Sequence, residues 1–191
     1  MTVQLPTIVG SSSTFELMTN AAHLRPVFGG PEQRVARLGD RWACDTTCRA
    51  FDAEDGAAVV AKLIQGVTDK VRFPVQQHLD IGSPGSPAVS SGSGRTLSVS
   101  GFTSGYAVKA GQFFNVIKDG KYYLHMVTDA VTASGGSATL SIVPMLKVDV
   151  AGATLNFASP QIEGFLAGNS QSWTVDYAES VGLTFKIVES N

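Results

Sequence analysis

Two strand-like segments joined by Asp119-Gly120 constrain the fold of this chain more than any other feature. The first is QFFNVIK (112–118) and the second is KYYLHMVTDA (121–130). An Asp-Gly pair between such segments strongly indicates a type I′ hairpin, because both central positions of that turn need positive φ. Adjacent residues of a strand point to opposite faces, so Tyr122 and Tyr123 are expected on different sides of this hairpin.

The surrounding sequence continues the same strand pattern and lacks helical periodicity. RTLSVSGF alternates Leu97 and Val99, and SGGSATLSIVPML alternates Leu140 and Ile142. We therefore predict a compact five- or six-stranded, OB-like β-barrel over residues 85–157. The Gly/Ser/Pro-rich stretch at its start, DIGSPGSPAVSSGSGRT, is predicted to be a linker or long loop.

One helix is predicted over about 52–66. Asp52 is a candidate N-cap, and Gly66 falls where the helix should end. The apolar residues of this segment recur at helical spacing, which predicts one buried face. They are Val59, Val60, Leu63, Ile64 and Val67.

Strand patterns fill the rest of the chain, at 13–20, 35–51 and 70–77 and in SWTVDYA and GLTFKIVES near the end. Pro74 indicates an edge strand, because proline cannot donate to a sheet. The most economical layout pairs the last strands with the first ones. It gives a β domain with one helix from 1–84 and 158–191, with the barrel of 85–157 as an insertion, which surface loops tolerate well.

The charge pattern argues against a nucleic-acid-binding protein. The net charge is −2, and the densest basic stretch, with Arg34, Arg37 and Arg41, also contains Glu32 and Asp40. Nucleic-acid binders usually carry a basic patch that neutralises phosphates. Only 16% of the residues are charged, against about 25% in typical soluble domains. We expect partner subunits to cover part of such a surface.

The cysteines and histidines predict neither a disulfide nor a metal site. Cys44 and Cys48 would share one face of a strand about 13 Å apart, too far for a disulfide bond. His23, His78 and His125 show no ligand spacing. We predict two buried free thiols, no metal and no cofactor.

Motifs for catalysis are also missing from the sequence. There is no G-x-S-x-G elbow, no P-loop and no H-E-x-x-H helix. His125 is predicted to be a hydrogen-bonded residue of the barrel wall rather than a general base. A hydrolase is an alternative if carboxylates pair across a cleft, as in glycosidases. The candidates for such a pair are Asp119, Asp129, Asp149, Glu163 and Asp176.

The N-terminal sequence MTVQLPTIVGSSSTF has no basic segment followed by a long apolar one. We therefore expect no secretory signal peptide. No apolar stretch approaches the roughly 20 residues that span a bilayer. These features predict a soluble protein made in a cytosol, without membrane insertion.

The order of these elements is similar to that of a known family. RLGDRW precedes the helix, AGQFFNV and GGSATLSIVPML lie in the barrel, and SWTVDY with GLTFKIVE closes the chain. This pattern resembles the distal tail proteins, or tail-tip ring proteins, of long non-contractile-tailed bacteriophages. The pattern covers nearly the whole chain. Gln112 departs from it, because an acidic residue is expected after Gly111, and so do Cys44 and Cys48.

The resemblance implies a virion protein of the phage tail tip that is assembled in the host cytoplasm. The sheet and helix would have a tail-tube-like β-sandwich or split-barrel fold and form a ring, typically of six subunits, with the barrel outside. Its partners would be the tail tube protein, the baseplate hub, and tape measure or fibre proteins. DNA would pass through the ring without specific binding, which weak negative charge favours.

A carbohydrate- or receptor-binding β-module of a viral or bacterial assembly is the alternative function. An exposed row of coplanar aromatic residues on the barrel would favour it. Large aromatic and arginine side chains often anchor interfaces. The candidate interface or receptor contacts are Arg41, Trp42, Tyr122, Tyr123 and Trp173.

Overall fold

The computed structural model of the chain describes residues 1–8, 12–168, 170–175 and 180–190. This part of the chain is mainly β, with one helix. Its elements are β1 Thr2–Gln4, β2 Ser12–Met18, β3 Ala22–Leu24, β4 Gln33–Val35, β5 Arg41–Asp52, α1 Ala53–Gln65, β6 Lys70–Pro74, β7 Gly85–Ser93, β8 Thr96–Phe102, β9 Ala107–Val108, β10 Phe113–Lys118, β11 Lys121–Val127, β12 Val131–Thr132, β13 Ala138–Val143, β14 Thr154–Asn156, β15 Gln161–Leu166, β16 Trp173–Val175 and β17 Ser180–Glu189.

The larger sheet combines strands from both ends of the chain. Its order is β1-β6-β15-β17-β5-β2, and β16 pairs with another part of β17. The C-terminal β17 lies antiparallel to both β5 and β15. This pairing agrees with the predicted return of the last strands into the sheet formed by the first ones. Residues 176–178 of the predicted strand SWTVDYA, which include Asp176 and Tyr177, lie outside the described residues.

Strand β5 shows how alternation builds the core of this sheet. Cys44, Thr46 and Cys48 are buried, whereas Asp45 and Thr47 between them are exposed. Both cysteines are free and buried, as predicted. Burial raises the pKa of the Cys48 thiol to about 11 and that of Cys44 above its ordinary value. Both side chains are therefore neutral thiols at physiological pH.

The helix forms where it was predicted but buries less than expected. Helix α1 places Val59 and Leu63 in the core of the sheet, with Val60 also buried. Ile64 and Val67 are exposed, so the prediction that all five apolar residues are buried was wrong. Val67 lies beyond the last residue of the helix. The Asp52 side chain makes no capping hydrogen bond, so its predicted N-cap contact is not formed.

The second body is a closed six-stranded barrel in the order β10-β11-β13-β8-β7-β14, with β14 pairing back onto β10. The small barrel that the strand pattern predicted is therefore present. Asp119 and Gly120 have φ values of 50° and 72°, and Lys118 pairs with Lys121 across them. Both central residues have the positive φ that the predicted turn needs. The barrel interior is filled by apolar side chains that include Leu97, Val99, Phe114, Val116, Leu140, Ile142 and Phe157.

The prediction that residues 80–96 form a linker or loop was wrong over β7. This Gly/Ser-rich segment pairs with β8 and is one of the barrel strands. Side chains from the neighbouring strands fill the barrel interior, so this strand does not need alternating apolar residues. A Cβ on Gly92 would lie 2.8 Å from Leu146 Cδ1 and 2.9 Å from Leu97 Cδ1. Small residues fit this strand because its neighbours leave little space.

The edge position predicted for the strand that contains Pro74 was also wrong. Strand β6 lies inside the sheet, with β1 parallel to it on one side and β15 antiparallel on the other. Pro74 is its last residue and pairs only with Gln161 of β15. Its missing N–H costs the sheet nothing there, because the pairing with β1 ends at Arg72.

Gly164 of β15 lies directly against the backbone of β17. A Cβ at this position would overlap the carbonyl oxygen of Val188. We expect Gly164→Ala to lower the free energy of unfolding by about 3 kcal/mol, because the backbone of a central sheet has to move. Gly182→Ala is the matched control, since nothing lies within 4 Å of a Cβ built there. Denaturant titration measures both variants, and equal stabilities would contradict this packing.

Candidate interaction surfaces

The barrel is fixed to the sheet through the side of β10 and β11 that points away from the barrel interior. Leu124, Phe113 and Met126 pack into the core of the sheet. The Phe113 ring lies 5.3 Å from Trp42 and 5.1 Å from Phe15, measured between centroids. The two bodies therefore share one continuous apolar cluster.

We call this contact between the barrel and the sheet the joint. Glu189 adds a buried charge to it. Its Oε1 accepts a hydrogen bond from the Leu124 N–H of the barrel (2.9 Å), and its Oε2 accepts one from the Trp42 N–H of the sheet (3.2 Å). Lys147 Nζ lies 3.4 Å from the same Oε2. Burial raises the pKa of the Glu189 carboxyl, whereas Lys147 and the two N–H groups act in the opposite direction. One carboxylate therefore accepts hydrogen bonds from both the sheet and the barrel.

Arg72 makes the second polar link. Its Nε donates to Glu163 (2.6 Å), and its Nη2 donates to the carbonyl oxygen of Gly120 at the hairpin tip (2.6 Å). The guanidinium also lies 4.1 Å from the centre of the Tyr122 ring, within the range of a cation–π contact. The tip of the hairpin is therefore held against the sheet.

These contacts place the five predicted interface residues in different environments. Trp42 is only 5% exposed and belongs to the core. Tyr122 lies on Arg72, whereas Tyr123 packs against the barrel core, so the two tyrosines do point to opposite sides. Arg41 is half-buried at the start of β5. Trp173 is 44% exposed on β16. The structure does not bring these residues together into one surface.

A protruding hairpin is the most exposed apolar feature of the described residues. Strands β3 and β4 pair with each other, and β3–β4 forms a sheet of its own. Between them, Val27 is 92% exposed and Phe28 is fully exposed. Exposed apolar groups of this kind mark interaction sites when they cluster. We call residues 20–40 the arm.

The arm is braced by its own polar contacts. At its base, the Asn20 N–H donates to Asp40 Oδ1 (2.7 Å), and Asn20 Nδ2 donates to the Leu38 carbonyl (2.9 Å). Nearer the tip, Glu32 contacts His23 Nδ1 (2.6 Å) and Arg25 Nε (3.3 Å). These contacts hold the two strands together without covering Val27 and Phe28.

A second exposed apolar surface lies on β16. Trp173 and Val175 are 44% and 67% exposed, and β16 pairs with β17 alone among the described strands. Val175 is in register with Val181, and a Cβ built on Gly56 of α1 would lie 2.6 Å from Val181 Cβ. The first turn of α1, with exposed Glu54 and Asp55, is therefore a neighbour of β16. We call Trp173, Val175, Glu54 and Asp55 the edge patch.

The barrel, in contrast, has no exposed large apolar side chain. Residues 85–157 are all described, and every exposed large apolar residue lies outside that range. The row of exposed aromatics that would favour a carbohydrate-binding barrel is thus not found there.

His125 and three of the five candidate carboxylates have structural partners in the described chain. His125 Nδ1 lies 3.0 Å from the Pro144 carbonyl oxygen, and burial lowers the pKa of His125 to about 4. Since a carbonyl only accepts, Nδ1 carries the proton of a neutral ring. Glu163 is paired with Arg72, and Asp149 accepts a hydrogen bond from the Ala151 N–H. Asp129 accepts one from the Thr128 hydroxyl.

An open groove of about 580 Å³ is lined in part by Phe15 and Phe113. Its described lining includes Gln77 and His78 but neither a carboxylate nor a cysteine. Among the described residues, no group of three or more His, Cys, Asp or Glu side chains is placed to hold a metal ion. None of the described residues form a helix that is long and apolar enough to cross a bilayer.

No protein-family model and no curated protein matches the chain.

The arm as a surface was not among the predictions from the sequence. The stretch with Arg34, Arg37 and Arg41 was considered only for nucleic-acid binding, and the apolar residues between β3 and β4 were given no weight. The signal was present in PVFGGP, where Val27 and Phe28 are flanked by turn-forming Pro and Gly. Two apolar residues within a turn are a candidate contact site, because a turn offers few neighbouring residues that could bury them.

The joint predicts a large effect for Glu189→Gln. Glutamine offers one acceptor oxygen instead of two, so the N–H of Trp42 or Leu124 loses its partner, and Lys147 loses its ion pair with Glu189. Removing one member of a buried ion pair costs about 3–5 kcal/mol. Denaturant unfolding measures the loss, and adding Lys147→Met should recover part of it.

Glu16→Gln is the control for this prediction. It breaks the exposed contact between Glu16 and Lys186 (2.9 Å), and exposed pairs contribute little to stability. An equal effect of Glu189→Gln and Glu16→Gln on unfolding would refute the role of Glu189 in the joint.

Proposed function

We propose that this protein is a structural subunit of a phage tail tip. Copies of the chain form a ring of six subunits that joins the tail tube to the baseplate hub or fibres. The sheet and helix α1 form the ring body with a tail-tube-like fold, and the OB-like barrel lies on its outside. The ring lines a channel through which DNA passes.

The observation that carries this proposal is the pair of unlike exposed surfaces on the sheet-and-helix body. The arm follows β2, one edge strand of the sheet, whereas the edge patch lies on β16, on the side of β17 away from β5. A contact between two different surfaces repeats from copy to copy, and it closes into a ring when the rotation allows. Two different exposed surfaces on one chain are what such an arrangement needs.

The distribution of apolar surface supports the same arrangement of the two bodies. All of the exposed large apolar side chains lie outside the barrel, so subunit contacts are expected on the sheet, the helix and the arm. The barrel, which has no such residue, is suited to face solvent. The net charge of −2 also fits a channel that must not retain DNA.

The proposal predicts where the protein lies in a phage particle. Gold-labelled antibodies against the purified protein should bind at the distal end of the tail in electron micrographs of intact phage. Antibodies against the major tube protein, which should label the whole tail length, are the control. Labelling of the capsid, or no labelling of tails that bind the control antibody, would contradict the proposal.

A further inference from the structure

The arm carries a small positive charge. Residues 20–40 contain three arginines, Glu32 and the buried Asp40, a formal charge of +1 with His23 neutral. Arg25 is paired with Glu32. Arg34 and Arg37 are exposed, and neither forms an ion pair with any residue that the structure describes. The arm therefore offers two unpaired cations together with Val27 and Phe28.

The edge patch has the opposite character. Its apolar part is Trp173 and Val175, and its charged part is Glu54 and Asp55 in the first turn of α1. Neither carboxylate is paired with a described residue. The patch thus combines two exposed apolar side chains with two free anions.

We propose that the arm of one copy docks on the edge patch of a second copy of this chain. Val27 and Phe28 pack against Trp173 and Val175, while Arg34 and Arg37 face the acidic first turn of α1. This contact rests on the proposed ring, because it names the two surfaces that join neighbouring subunits.

The physical roles of the two parts of this contact differ. A fully exposed phenylalanine that becomes buried against a tryptophan is a typical anchor of an interface. The charges fix the orientation and exclude arm-to-arm and patch-to-patch pairing, in which like charges would meet. Exposed charges are screened by salt, so assembly should weaken as ionic strength rises.

Two charge-reversal variants test the contact. The arm variant carries Arg34→Glu and Arg37→Glu, and the patch variant carries Glu54→Arg and Asp55→Arg. In each variant alone, like charges meet at every contact, so we expect at least tenfold weaker assembly in analytical ultracentrifugation. In an equimolar mixture, an acidic arm meets a basic patch and a basic arm meets an acidic patch. The mixture should therefore recover assembly, with the two variants alternating.

A second experiment covers the case in which a charge variant fails to fold. Phe28→Cys combined with Val175→Cys should give a ladder of linked copies with a short bis-maleimide, because each copy links to two neighbours. Phe28→Cys with Ile64→Cys is the matched control, since Ile64 is 45% exposed but lies outside the edge patch. Cys44 and Cys48 are buried and should not react.

The outcomes separate this contact from the proposed function. Recovery in the mixture, or a ladder that only the Phe28→Cys/Val175→Cys variant forms, supports the contact. If the unmodified protein assembles but neither result is seen, the contact is overturned and the ring stands. If the unmodified protein remains a monomer at every concentration tested, both the contact and the ring are overturned.

Discussion

The carboxylate of Glu189 lies where the sheet and the barrel meet, and the arrangement of the whole molecule depends on that joint. Its two oxygens accept hydrogen bonds from one backbone N–H of each body, and Lys147 supplies the counter-charge. The apolar cluster around Trp42, Phe113 and Leu124 continues from one body to the other. A buried carboxylate is costly unless it is paired and hydrogen-bonded, so these partners are needed together.

The joint also determines which surfaces of the molecule stay exposed and are available to partners. It covers the outward side of the β10–β11 hairpin, where Tyr122 lies on Arg72 and Leu124 is buried. Without the joint, that side of the hairpin would be exposed and would be a candidate surface for a partner. The exposed large apolar side chains are instead outside the barrel, and most of them are on the arm and the edge patch. The proposed subunit contact follows from that division.

Local sequence patterns correctly predicted the elements that depend only on residues close together in the sequence. The Asp119-Gly120 turn, helix α1, and the alternation of Leu97 with Val99 depend on near neighbours, and each is found where it was predicted. Strand β7 was missed because its place depends on pairing with β8 and β14 and on the side chains that crowd Gly92. The contacts of Glu189 join residues far apart in sequence, which no local pattern reveals. The arm was missed because its exposure depends on the lack of neighbours in the folded chain.

Electron cryomicroscopy of the assembled protein tests the central claim most directly. The account predicts a closed ring in which the sheets and helices surround a central channel, each arm reaches a neighbouring copy, and the barrels lie on the outer circumference. A ring with the barrels around the channel, an assembly that does not close, or particles of single copies would contradict it.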